Sequence, residues 1–223
     1  MKSLTRVSAL LVVAKFTAVL SLVLQIGCIN MSTLQTAETL PKGKARVSIG
    51  GGYYTSPAVN SALKENDVVE NDINVPYLEG GIRYGVSENL DVGGKLTIIG
   101  TISADAKYRL LDQEELDLAV GGGIGYFSLE TGSGDQTSTF RAFDFMIPFY
   151  ASYRTAPWFA MYAAPKYVLR YMTSDTSSGS MSLMGSSLGL MFGEDKGAAI
   201  EVSYLKDVSS PFNMLQVGGG FFF

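Results

Sequence analysis

The chain contains no histidine, a single cysteine and a single tryptophan. Without histidine there is no Ser-His nucleophile, no imidazole proton shuttle and no histidine metal site. One cysteine, Cys28, excludes a disulfide within the chain. Past the first 27 residues no run of 18 uncharged apolar residues occurs, so no later helix is expected to span a membrane. Charged residues make up only 17% and their formal sum is −4. Removing residues 1–27 takes away Lys2, Arg6 and Lys15 and no acid, so −4 becomes about −7. An acidic balance argues against nucleic acid as a partner, because phosphate backbones select basic surfaces.

What the chain does have is glycine (25 residues), aromatics (11%) and a positive mean hydropathy of +0.19. It opens with Lys2 and Arg6 ahead of a largely apolar stretch, Val7 to Ile26, interrupted by Lys15 and a few polar residues. This reads as a secretory signal, residues 1–27, and not as fold. The stretch ends Leu24-Gln25-Ile26-Gly27-Cys28. A lone Cys behind a small residue at that place resembles a lipoprotein cleavage site, except that Gln25 stands where the family usually has Leu. The resemblance implies a diacylglycerol thioether on Cys28, which becomes the new amino terminus. An incidental Cys in an ordinary signal peptide or uncleaved anchor is the plain alternative. Residues 28–43 read as a tether of small and polar residues, ended by Pro41-Lys42-Gly43.

From residue 44 to 223 apolar residues alternate with polar or small ones, segment after segment. Alternation of period two is the mark of a strand with two unlike faces. Ten strands are predicted, at 44–54, 74–86, 90–99, 102–111, 115–128, 139–154, 158–172, 180–192, 198–206 and 212–223. Tight turns at 87–89, 112–114, 155–157 and 193–197 alternate with a second set of connections. That set holds the longer polar loops 55–73, 130–138 and 173–179, besides the short 100–101 and 207–211. Pro165 falls on the apolar face of its strand and reads as a bulge or misregister, since proline removes a ladder donor.

The last strand, FNMLQVGGGFFF, sets Leu215, Val217, Gly219, Phe221 and Phe223 on one face. Here the chain resembles bacterial outer-membrane β-barrels, small and of the OmpA/OmpX-like, porin-like kind. Their last strand ends in an aromatic after alternating apolar residues. The resemblance implies that Leu215, Val217, Phe221 and Phe223 form an insertion signal read by barrel-insertion machinery. The expected fold is all-β: a closed antiparallel up-and-down transmembrane β-barrel of about 10 strands, with 8 or 12 also fitting. The expected location is the bacterial outer membrane, the surrounding partner its lipid.

Alternation alone leaves open which face points outward, since a lipocalin-like barrel turns the apolar face inward. Aromatics at the ends of the apolar faces (Tyr53, Tyr84, Tyr126, Tyr153, Tyr171) and glycine, alanine and serine among the charges favour the membrane reading. The lumen then receives Arg46, Glu79, Arg83, Asp91, Lys95, Asp105, Lys107, Arg109, Asp117, Asp144, Lys166, Arg170 and Glu201. Seven bases face six acids, a near balance that suggests cross-strand pairs. Two functions follow. One is a structural or surface-interaction barrel with a salt-bridged, largely closed lumen and external loops free to contact extracellular ligands. The other is a narrow porin-like channel for small polar solutes or ions, for which the lumen glycines leave room.

Enzymatic chemistry is not expected. The familiar membrane-barrel enzymes use histidine, and Asp112 with Glu114 or Glu115 reads as a solvated turn. The DQEELD cluster and the acids Glu65, Asp67, Glu70 and Asp72 lack the spacing of a known calcium loop. The glycine runs are followed by no helix pattern and so are not phosphate loops. No cofactor or metal is expected.

Overall fold

The computed structural model describes residues 32–55, 75–98, 100–133, 136–175 and 178–223. The leader, Cys28 and nearly all of the 55–73 loop lie outside the described residues. Ten strands follow in order: β1 (Ala45–Thr55), β2 (Val75–Ser87), β3 (Leu90–Thr97), β4 (Thr101–Asp112), β5 (Leu116–Ser133), β6 (Gln136–Ala156), β7 (Phe159–Ser174), β8 (Ser178–Gly193), β9 (Gly197–Asp207) and β10 (Asn213–Phe222). Each pairs antiparallel with the next, and β10 pairs back with β1, giving a closed up-and-down barrel. Closure runs from Ser48↔Phe222 to Thr55↔Leu215. Phe223 extends it, its N–H and carbonyl bonding the Val47 carbonyl and N–H at 2.9 and 3.0 Å.

The period-two pattern decides the faces. Phe221 is 61% exposed while Phe222, one residue on, is 4% exposed. Around the outside Ile49, Ile82, Leu96, Ile124, Phe145, Leu188 and Ile200 are likewise exposed. Such a continuous apolar belt is foreign to a water-soluble monomer and is what hydrocarbon contact requires. Exposed aromatics rim the belt. Tyr53, Tyr126, Phe143 and Tyr171 stand toward the end carrying the β1–β2 connection, and Tyr84, Tyr108, Tyr153 and Trp158 toward the end carrying the tight turns. These two ends are called below the loop end and the turn end.

Two expectations are corrected. The polar stretch 130–138 is not a loop, because β5 and β6 stay paired out to Ser133↔Gln136. The pairing there is a backbone ladder, and Thr131, Thr137 and Thr139 are residue types that suit an extended backbone. Nor does Pro165 bulge or shift its strand. The β6–β7 ladder skips from Pro148↔Lys166 to Ala151↔Ala163 and resumes in the same register. The β5–β6 ladder skips similarly beside Pro148, from Val120↔Phe149 to Gly123↔Met146. Each proline removes one donor without inserting a residue. The register shifts fall at the turn end, at Gly85/Ser87, Arg109/Leu111 and Arg154/Ala156.

Candidate functional site: the lumen and the segment inside it

Residues 32–40, read from sequence as part of a tether, lie inside the barrel. Ser32, Thr33, Thr36, Ala37, Thr39 and Leu40 are buried. The segment enters at the turn end, where Gly43 adopts φ 80° and donates its N–H to the Gly85 carbonyl at 2.8 Å. Gly85 makes the crossing possible, because a Cβ there would lie 2.2 Å from the Pro41 carbonyl oxygen and 2.5 Å from that of Leu40. From Leu40 the chain runs back toward mid-barrel at Ser32. Thr39 Oγ1 donates to the Glu88 carbonyl in the β2–β3 turn at 2.7 Å, whereas Ser32 Oγ donates to Glu79 at 2.5 Å, well inside β2.

The lumen holds this segment by its main chain and by its side chains, among them Thr33 Oγ1 donating to Ser187 Oγ at 3.1 Å and Gln35 Nε2 to Tyr150 OH at 3.2 Å. The N–H groups of Thr33 and Leu34 donate to the two carboxylate oxygens of Glu201, both at 2.7 Å. Leu40 N–H donates to Asp91 Oδ2 at 3.1 Å and Ala37 N–H to Ser152 Oγ at 3.2 Å. Lys95 Nζ donates to the carbonyls of Ser32 and Thr33 at 2.8 and 3.3 Å. Lys107 Nζ donates to those of Thr36 and Glu38 at 2.9 and 2.7 Å, and to Gln35 Oε1 at 3.2 Å. Leu34 takes the left-handed conformation, φ 46°, rare for a branched side chain. That turn lets two successive N–H groups converge on one carboxylate, the concavity that binds anions elsewhere. It also drives the Leu34 side chain into a niche floored by Gly50 and Gly220.

All thirteen residues expected in the lumen stand on inward positions. Arg83 pairs with both Asp91 and Asp105, and Arg170 binds Asp144 through Nε at 2.7 Å and Nη2 at 2.6 Å. Lys95 lies 3.6 Å from Glu79, and Lys107 the same distance from Asp91. Arg109 sits at the turn end against Asp112 at 2.9 Å. Arg46 donates to the Glu194 carbonyl at 3.1 Å and lies over the Phe222 ring. Lys166 Nζ donates to Thr33 Oγ1 at 3.1 Å. Asp117 is buried on β5 near the same end. Glu201 does not join a base within ion-pair distance among the described residues. Besides the two segment N–H groups it accepts from Tyr162 OH and Ser203 Oγ, both at 2.8 Å.

Sequence reasoning missed three things here. Glu38 supplies a seventh acid and pairs with Arg154, an eighth base, so the segment adds an ion pair of its own. The half of the lumen toward the loop end carries apolar side chains, with Val168, Leu183, Leu205 and Met214 buried and Tyr54 stacked on Tyr77 at 5.3 Å. The glycines do not leave open bore. Gly93 makes room for the Arg83 guanidinium and Gly189 for the Tyr162 ring. Two cavities flanking the segment hold about 50 Å³ each, while a larger one, about 460 Å³, opens at the turn end beside Pro41, Arg154 and Phe223. A signal for the segment did exist, in the run SerThrLeuGlnThrAla of small, uncharged residues, but small polar residues equally suit a tether.

No protein-family model matches the chain. No curated protein matches it either. Among solved structures the chain is similar to the outer membrane protease OmpT of Escherichia coli, at 11% identity over 83% of this chain and 99% of that one, with a TM-score of 0.50. It is also similar to the N-terminal β-barrel domain of Pseudomonas aeruginosa OprF, at 14% identity over 82% and 100%, TM-score 0.36. A third is Ail, the attachment invasion locus protein of Yersinia pestis, at 13% identity over 82% and 99%, TM-score 0.31. At these identities the likeness is one of fold.

Proposed function

We propose that this chain is an integral outer-membrane barrel with a structural or surface-interaction role, its lumen held shut by residues 32–40. The observation that carries the reading is the seal itself, nine residues bonded to β2, β3, β4, β6, β7 and β9 from within. The apolar belt and its aromatic rims fit a bilayer, with the turn end periplasmic and the loop end outside. Residues 1–27 are the export signal, and Leu215, Val217, Phe221 and Phe223, all outward-facing, are what insertion machinery would read. Surface ligands would meet the loop end. The reading is non-enzymatic, with neither cofactor nor metal.

Lipidation of Cys28 belongs to the same proposal, and it carries a geometric consequence. Cys28 reaches at most about 14 Å from Ser32. Ser32 bonds Glu79, which stands eight residues from Ser87 at the turn end of β2. That is roughly 26 Å along a strand, or about 20 Å of depth at the usual barrel tilt. An acyl chain on Cys28 would therefore enter the bilayer from the loop end and not from the periplasmic rim.

Planar-bilayer conductance of the refolded mature chain tests the seal, beside a variant lacking residues 32–40 and shown to be a heat-modifiable barrel. The expected result is silence from the first and discrete steps from the second. Steady steps from the intact chain would favour the narrow-channel reading, to which the 460 Å³ opening at the turn end lends support. Silence from both would assign closure to the wall charges alone.

A further inference from the structure

We propose that the lumen is a binding site for a polypeptide segment, read largely through its main chain, and that residues 32–40 are its resident ligand. This deepens the closed-barrel reading and rests on it. Closure needs only bulk in the bore, whereas the contacts here have the chemistry of a peptide receptor. Carboxylates (Glu201, Asp91) and a hydroxyl (Ser152) take four N–H groups, of residues 33, 34, 37 and 40. Two lysines take four carbonyls, of residues 32, 33, 36 and 38. Wall acceptors meet main-chain donors and lysines meet main-chain acceptors at eight points, groups that every residue carries, while Ser32, Thr33, Gln35, Glu38 and Thr39 add side-chain bonds.

The wall is chemically incomplete without a peptide. Glu201 is buried with no basic partner at ion-pair distance among the described residues, and two of its four hydrogen bonds come from segment N–H groups. Among the described residues all three hydrogen bonds of the buried Lys107 ammonium go to the segment. A buried charge stripped of its hydrogen bonds is costly, so an empty lumen would favour taking up any chain that restores them. The site also states what fits. The segment side chains are small apart from Leu34, Gln35, Glu38 and Leu40, and Ala37 is fully buried against Ala119, Tyr150 and Ala164. The ligand class is thus a peptide of small, mostly uncharged residues, and the occupant is this chain's own residues 32–40.

The test uses the full chain with a protease site placed at the exposed Lys42–Gly43 turn and cut after folding. The freed segment is expected to stay bound through gel filtration in detergent and to exchange with a labelled synthetic peptide of residues 32–40. A peptide of the same composition, scrambled at every position but that of Ala37, should compete within about tenfold. The same peptide N-methylated at the Thr33 and Leu34 amides should lose at least a hundredfold, because each bond to a buried carboxylate is a strong one. Competition by the native sequence alone would overturn main-chain reading in favour of side-chain fit. Immediate loss of the cut segment, with no peptide taken up, would overturn the site altogether. Conductance of the uncut protein, read on the same preparation, reports on closure separately, so the two ideas fail independently.

Discussion

The Lys107 ammonium lies 2.9 Å from the carbonyl oxygen of Thr36, although 71 residues separate the two in the chain. Lys107 belongs to the barrel wall and Thr36 to the segment it encloses. The contact therefore ties the amino-terminal stretch to the lumen, and its loss has consequences that can be measured.

Lys107→Met keeps the length of the side chain and removes its donors. The Thr36 and Glu38 carbonyls and Gln35 Oε1 lose a partner inside the barrel. A destabilisation of about 2–4 kcal/mol is expected, read as a lowered denaturant midpoint in detergent micelles. Arg170→Met serves as the contrast: it breaks the bidentate pair with Asp144, away from the segment, and should destabilise the barrel without opening it.

Glu201→Gln retains shape and replaces one acceptor oxygen by an NH2 group that faces the Thr33 and Leu34 donors. The segment should then leave and return, giving intermittent conductance bursts in a planar bilayer where the parent chain is silent. A loss of about 2 kcal/mol or more in segment binding is expected, since hydrogen bonds to charged groups are the strong ones.

Gly85→Val places a side chain where the Leu40 and Pro41 carbonyls pass, at 2.5 and 2.2 Å from the Cβ alone. The segment must shift or withdraw. Limited proteolysis should cut near Lys42 far faster than in the parent, while the barrel itself survives and still migrates as a folded species on a gel.

Deleting Phe223 removes both backbone bonds to Val47 and the last outward aromatic of β10. The expected outcome is a several-fold drop in folded barrel recovered from membranes, with the unfolded chain accumulating in the periplasm. Refolding of the purified variant should suffer much less, because the closing register from Ser48↔Phe222 onward remains.

Cys28→Ser should abolish incorporation of a labelled fatty acid and leave the barrel in the membrane, since the strands and not the acyl chain provide the apolar belt. In the parent chain an amino-terminal lipid is expected to be released from intact cells by cleavage from outside. Label released only after the periplasm is opened would contradict the threaded arrangement.

Much of the architecture was legible from sequence because it is set by local rules. Strand number, faces and approximate limits come from a period-two pattern that each segment displays on its own, and Phe221 beside Phe222 shows how sharply the pattern sorts neighbours. The inward placement of the charges came with it. Where the alternation gives way to a polar stretch, as at the end of the β5–β6 hairpin, sequence reading stopped too early. Proline's effect was misjudged for a related reason: a missing donor at Pro148 or Pro165 is a local fact, but whether the ladder shifts depends on both neighbouring strands.

By itself, then, the sequence determined that the chain makes strands, that they form a barrel with an apolar outside, and that its interior carries nearly balanced charge. Tertiary structure alone decided what those charges do. Glu201 and Lys107 belong to different strands, and neither carries any local mark of a peptide partner. Only closure of the sheet brings them around one axis. Only the turn at Pro41–Gly43, crossing over Gly85, sends the preceding chain along that axis. Main-chain N–H and carbonyl groups are the same in every residue, so a site that reads them leaves almost no trace in the sequence of what it holds.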